Sequence, residues 1–187
     1  MLIQRPLEPE IPSFFRGYVN AVPEGDLLEI LAGQLTSFPA LLHSFPEART
    51  ETGYAAGKWS LKQSIEHVSD TERIMSYRLL RIARGDQTPL PGFEQDDYVA
   101  NSQANARSWQ KLIEEFEAIR RSSLALARAL PDAAWLRMGV ASGASISARA
   151  LGYVMAGHAI HHGRLIETKY TALLTQLSQL NSISGQN

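Results

Sequence analysis

Apolar residues recur at threes and fours through Leu27, Leu28, Ile30, Leu31, Leu35 and Phe38, which predicts an amphipathic helix with Asp26 as its N-cap. Pro39 is expected to kink or divide that helix, and residues 45–58 read as a loop. Ser60 followed by Gln63 has the spacing of a capping box. The stripe Leu61, Ile65, Val68, Met75, Leu79 and Ile82 then predicts a long helix to about Arg84, stopped by Gly85. Residues 86–98, with two prolines and a glycine, read as a loop. A third helix is predicted from about Asn101 to Leu130, closed by Pro131. A turn around Trp135 leads into the Gly/Ser-rich stretch GVASGASIS. The last helix starts near Ser147, continues past Tyr170 and frays into LSQLNSISGQN. No strand-period alternation and no internal repeat stands out.

Four long amphipathic segments predict an all-α protein, a four-helix bundle with long connecting loops. Residues 1–25 form an N-terminal arm that packs by Phe14, Phe15 and Tyr18. Residues 26–178 form a single bundle domain, and residues 179–187 a polar C-terminal tail. The connections 46–59 and 131–146 are longer than a simple up-down bundle requires. Loops of that length at a bundle end often cover a site.

Composition narrows the chemistry. A chain of 187 residues suits one domain large enough to fold without a disulfide or metal. Its 44% hydrophobic and 20% charged residues belong to the soluble globular class. A formal net charge of −1 gives no electrostatic basis for nucleic acid as the main partner. No apolar run approaches the roughly 20 residues of a membrane span. The opening stretch MLIQRPLEPEIPSFFRGY, broken by three prolines, lacks the apolar core of a signal peptide, so the expected location is cytoplasmic. The absence of cysteine excludes a disulfide scaffold, a thiol nucleophile, an iron–sulfur site and a thiolate zinc site. Any metal must be held by nitrogen and oxygen.

The histidines are His43, His67, His158, His161 and His162. At about 100° per residue, Leu151, Val154, Met155, Leu165 and Ile166 mark the apolar stripe of the last helix. His158 and His162 fall inside that stripe one turn apart, and His161 lies at its edge. Burying two imidazoles is costly unless both are hydrogen-bonded or share a metal. His67 sits on the shoulder of the second helix's stripe, beside Ser64 and Thr71. His67, His158 and His162 can therefore form a three-nitrogen face between two helices, leaving positions open for water or substrate. His161 is the rival ligand, because i, i+3 spacing to His158 also works. His43 reads as a satisfied core residue or an exposed one.

The segment GKWSLKQSIEHVSDTERIMSYRLLRIARG, with a Trp-Ser cap and a histidine seven residues after the serine, resembles the second helix of the DinB/YfiT-like family. GHAIHHGRLIETKY, with its H-x-x-H-H string, resembles that family's last helix, and PLPGFEQDDY matches its loop style. The resemblance covers roughly residues 26–172. It implies a four-helix bundle holding a divalent metal on His67, His158 and His162, and zinc or nickel fits that nitrogen-rich ligand set. It further implies a small-molecule substrate and transfer of a low-molecular-weight thiol, such as bacillithiol, mycothiol or glutathione, to an electrophile. One branch of the family includes a maleylpyruvate isomerase. Leu165 stands where some relatives carry a further histidine one turn on. Two other readings stand beside the thiol transferase: a hydrolase whose nucleophile is a metal-activated water, and a non-catalytic, stress-associated metal-binding bundle. A homodimer is expected.

Further residues carry smaller expectations. Glu72, near the centre of its helix's stripe, is a buried ion-pair partner of an arginine on a neighbouring helix, a carboxylate orienting a histidine, or a general base. Glu66 and Asp70 read as solvated. Arg164 reads as a surface salt bridge or a guide for an anionic thiol. Trp59 either packs as a staple at the helix cap or walls the pocket, and Asp96, Asp97 and Tyr98 belong to a loop that can cover the site.

Overall fold

The start and stop signals operate atom by atom in the computed structural model, which describes residues 2–172. Helix α1 (Arg16–Ala21) precedes α2 (Leu27–His43), where the Asp26 carboxylate accepts from the Leu28 amide at 2.8 Å. Helix α3 (Leu61–Ala83) opens on a complete capping box. The Ser60 amide donates to Gln63 Oε1 at 2.8 Å and the Gln63 amide to Ser60 Oγ at 3.1 Å. Gly85, at φ +82°, reverses the chain beyond it. Then come α4 (Gln95–Asn101), α5 (Trp109–Arg128), a hairpin of β1 (Met138–Ala141) and β2 (Ala144–Ser147), and α6 (Ala148–Leu165). A π-helical turn, Ile166–Tyr170, extends α6. The expected polar tail, residues 179–187, and the fraying stretch before it lie outside the described residues.

Helices α2, α3, α5 and α6 form the bundle. Both α2 and α3 pack against α5 and α6, so α2 and α3 are diagonal to one another, as are α5 and α6. Each of the two long connections must therefore cross an end of the bundle rather than turn to a neighbour. That is the physical reason for their length.

Several boundaries differ from the sequence reading. Pro39 does not divide α2, because Phe38 and Leu42 on either side are buried and packing outweighs one lost hydrogen bond. The third helix starts at Trp109 on a Ser108 cap, and Asn101 instead ends the short α4. The arm contains α1, which packs on α6. Part of the stretch read as Gly/Ser loop is the β-hairpin. Ser142 and Gly143, at φ 52° and 75°, supply the two left-handed residues that a tight hairpin turn needs. Leu90 joins this hairpin, its amide donating to Val140 O at 2.9 Å while it accepts from the Ser142 amide at 3.0 Å.

The apolar interior is divided in two. One cluster gathers Leu27, Leu31, Met75, Leu79, Leu124, Leu151 and Val154, and the other Phe38, Leu61, Ile65, Leu112, Phe116 and Ile166. Between them each bundle helix contributes buried polar groups: Gln34 from α2, Glu72 from α3, Arg120 from α5, and His158 and His162 from α6. Arg120 donates through Nε and Nη2 to the two Glu72 oxygens, each at 2.7 Å, and also to Gln34 Oε1; Gln34 Nε2 in turn donates to Ala156 O at 2.9 Å. Glu72 is thus the ion-pair partner of a neighbouring arginine.

Candidate functional site

His67 on α3 and His158 and His162 on α6 meet at this polar layer. Each is 4–5% exposed, and ring nitrogens from all three lie within 4.8 Å of one another. His67 Nε2 and His158 Nε2 are 3.1 Å apart. Two nitrogens bound tetrahedrally at about 2.0–2.1 Å from one ion would lie about 3.3 Å apart, close to this spacing. His162 Nδ1 is buried without a hydrogen-bond partner. Three convergent imidazoles, one with an orphaned nitrogen, fit a divalent cation of borderline softness. Among the described residues, no other cluster of three ligand-type side chains has this geometry.

Electrostatics favour the neutral, metal-ligating form of each ring. Burial lowers the His67 pKa to about 4, opposed by the carboxylate of Asp96, and lowers His162 to about 3 with help from its neighbouring histidines. His158 falls well below 6.5, again chiefly by burial. At neutral pH none of the three must shed a proton to bind a cation.

His161 stands outside the cluster. Its side is exposed, and its ring lies edge-on to Tyr18 at 5.4 Å and to His162 at 5.2 Å. Tyr18, from α1, also meets His158 edge-on at 5.1 Å, so the arm contributes directly to the site. Trp59 packs on His67 with ring centroids 4.9 Å apart. Its carbonyl accepts from the Tyr170 hydroxyl at 2.7 Å, tying the π-helical turn to the start of α3. Two cavities adjoin the triad. One of about 630 Å³ includes His67, His158, Tyr18 and Phe15 in its wall. The other, about 460 Å³, includes His67, His162, Trp59 and Asp96. His67 and Tyr18 border both.

Other expectations are resolved more simply. Glu66 is buried rather than solvated. Arg107 reaches over from the start of α5 and pairs with it, while Asp70 is half-buried beside Arg73. Arg164 and His43 are exposed, and Asp96, Asp97 and Tyr98 lie on the exposed face of α4. Arg78 and Arg120 carried no expected role. Both interrupt an apolar helical register, Arg78 between Met75 and Leu79 and Arg120 between Phe116 and Leu124, which is the signal that could have found them.

Comparison with known proteins supports the same architecture. No curated protein matches the chain. Its fold is similar to YfiT from Bacillus subtilis, a probable metal-dependent hydrolase with an unusual four-helix bundle topology. The TM-score is 0.69 at 16% identity, over 81% of this chain and 90% of that one. It is also similar to a mycothiol-dependent maleylpyruvate isomerase, at TM-score 0.64 and 15% identity over 78% of this chain; the match spans 61% of the isomerase's length. The family model of the DinB superfamily matches residues 30–166, which include α3, α5, α6, all but the first turn of α2, and the three histidines, and the chain belongs to that superfamily.

Proposed function

We propose that this protein is a divalent-metal-dependent enzyme acting on a small molecule, with His67, His158 and His162 as the metal ligands and zinc or nickel as the ion. The observation that carries the reading is a buried triad of neutral imidazoles bordered by two adjoining cavities. A divalent cation held by neutral ligands keeps its full charge and acidifies a bound thiol or water, supplying a nucleophile at neutral pH. The protein's own groups do the rest. The three rings would hold the cation between α3 and α6, Tyr18 and Trp59 pack against His158 and His67, and the two adjoining cavities give room for two reactants. Room for two reactants favours transfer of a low-molecular-weight thiol to an electrophile, since the chain has no cysteine of its own. The reading extends to a homodimer in the cytoplasm; light scattering tests the assembly. Among the described residues no helix is long and apolar enough to cross a membrane.

Hydrolysis is the second reading, favoured by the structural similarity to YfiT. Single-turnover assays with and without added thiol separate the two, and strict thiol dependence counts against hydrolysis. Elemental analysis of untagged protein is expected to find about one divalent ion per chain. His67→Ala, His158→Ala and His162→Ala should each weaken metal affinity by at least about tenfold, whereas His161→Ala keeps it. Retention of metal by all three triad variants refutes the assignment.

A further inference from the structure

The wall of the 630 Å³ cavity runs along α3 through His67, Thr71, Met75 and Arg78. Eleven residues of helix place about 16 Å of axial rise between the first and last of these. Arg78 is 1% exposed, and a buried guanidinium retains its charge even though burial lowers its pKa. Buried charges are normally paired. Arg120 has Glu72 and Arg149 has Glu10, but among the described residues no carboxylate pairs with Arg78. Its Nη2 donates to Pro91 O at 2.7 Å and Ser142 Oγ at 3.0 Å, and Nη1 meets Met75 Sδ at 3.7 Å. Two of the five guanidinium N–H groups are left over. The Phe93 ring lies 6.0 Å from Cζ, and Glu94, also in the wall, is exposed and makes no ion pair with Arg78.

We propose that Arg78 is the anion-recognising residue of this cavity and that the substrate is a small organic carboxylate with an apolar, ring-sized body. The carboxylate takes the unused N–H groups of Arg78, the body lies against Phe15, Met75 and Phe93, and the reactive end faces the histidines. The contacts to Pro91 and Ser142 fix the guanidinium between the segment following α3 and the hairpin turn, so it is oriented before any ligand arrives. The proposal rests on the cavity being the substrate site, as proposed above, but not on the metal.

The test uses phenylacetate and its neutral counterpart phenylacetamide, titrated into the full chain freed of metal, so that the acid cannot simply ligate an ion. Wild-type protein is expected to bind the acid at least about tenfold more tightly than the amide. That preference should vanish in Arg78→Met and partly survive in Arg78→Lys. In wild-type protein the Arg78 side-chain N–H resonances should shift with the acid and not with the amide, a readout that needs no variant and that a purely structural arginine would not give. Absence of an acid preference, whether both probes bind alike or neither binds, overturns the proposal. So does an undiminished preference in Arg78→Met, or unmoved Arg78 resonances. A preference that arises only when metal is added also overturns it while leaving the metal reading intact. Failure of the triad variants to lose metal, with the Arg78 preference preserved, would instead refute the metal assignment alone.

Discussion

Each triad histidine is a base held neutral by burial, and the sign of its pH dependence follows. The unfolded chain takes up protons near the ordinary value of 6.5, whereas folded His67 and His162 resist protonation until about 4 and about 3. Above about pH 6.5 both states are neutral and these groups leave stability unchanged. As pH falls below that, the unfolded state binds more protons and the metal-free protein loses up to about 1.4 kcal/mol per pH unit for each histidine that stays neutral. Urea unfolding between about pH 7.5 and pH 5 should show this decline, and His162→Leu should flatten it. A steeper decline in the variant would contradict the assignment of neutral buried rings. Metal release on acidification should follow the same competition with protons.

At the scale of elements, the contact between α1 and α6 depends on Gly157. A Cβ there would lie 1.9 Å from the Tyr18 carbonyl oxygen and 2.5 Å from its carbon, which are backbone atoms that cannot turn aside. Gly157→Ala should therefore cost about 1–3 kcal/mol despite alanine's higher helix propensity. It should also displace Tyr18 from His158 and His161. Gly33 in α2 is the control: it is exposed, and a Cβ there meets nothing within 4 Å, so Gly33→Ala should stabilise by up to about 1 kcal/mol. Chemical denaturation of the two variants tests the pair, and a stabilised Gly157→Ala would refute the close packing of the arm. The glycine is visible in the sequence, but the carbonyl it accommodates lies more than a hundred residues away in the chain.

Across the whole molecule, the polar layer joins all four bundle helices between two apolar clusters. Arg120 is fully buried and Glu72 is 3% exposed, so removing one strands the other in a medium that does not solvate it. Arg120→Met is expected to cost about 3–5 kcal/mol, and adding Glu72→Met should return much of that loss, because an apolar pair leaves no uncompensated charge. Thermal or urea unfolding of the two singles and the double measures the coupling. A double variant less stable than both singles would show that the pair is held by more than mutual compensation. The same layer carries His158 and His162, so the single variants should also weaken metal affinity through displaced α6 side chains.

The sequence by itself determined the class of fold, the Asp26 and Ser60 caps, and the placing of His158 and His162 inside an apolar stripe, because these follow from helical periodicity and local hydrogen bonding. It also held two connections longer than a simple up-down bundle requires. Only the tertiary structure decided that those connections run diagonally, that Tyr18 of the arm closes on the triad, and that Glu66 is buried under Arg107. It also decided that Arg78 sits buried without a carboxylate partner among the described residues, on the wall of the same cavity as His67. Such facts depend on which distant segments meet, and side-chain periodicity within one helix carries no record of its neighbours. The zero-cysteine composition excluded thiolate ligands from the start, and the meeting of α3 with α6 is what brings three imidazoles within 4.8 Å of one another.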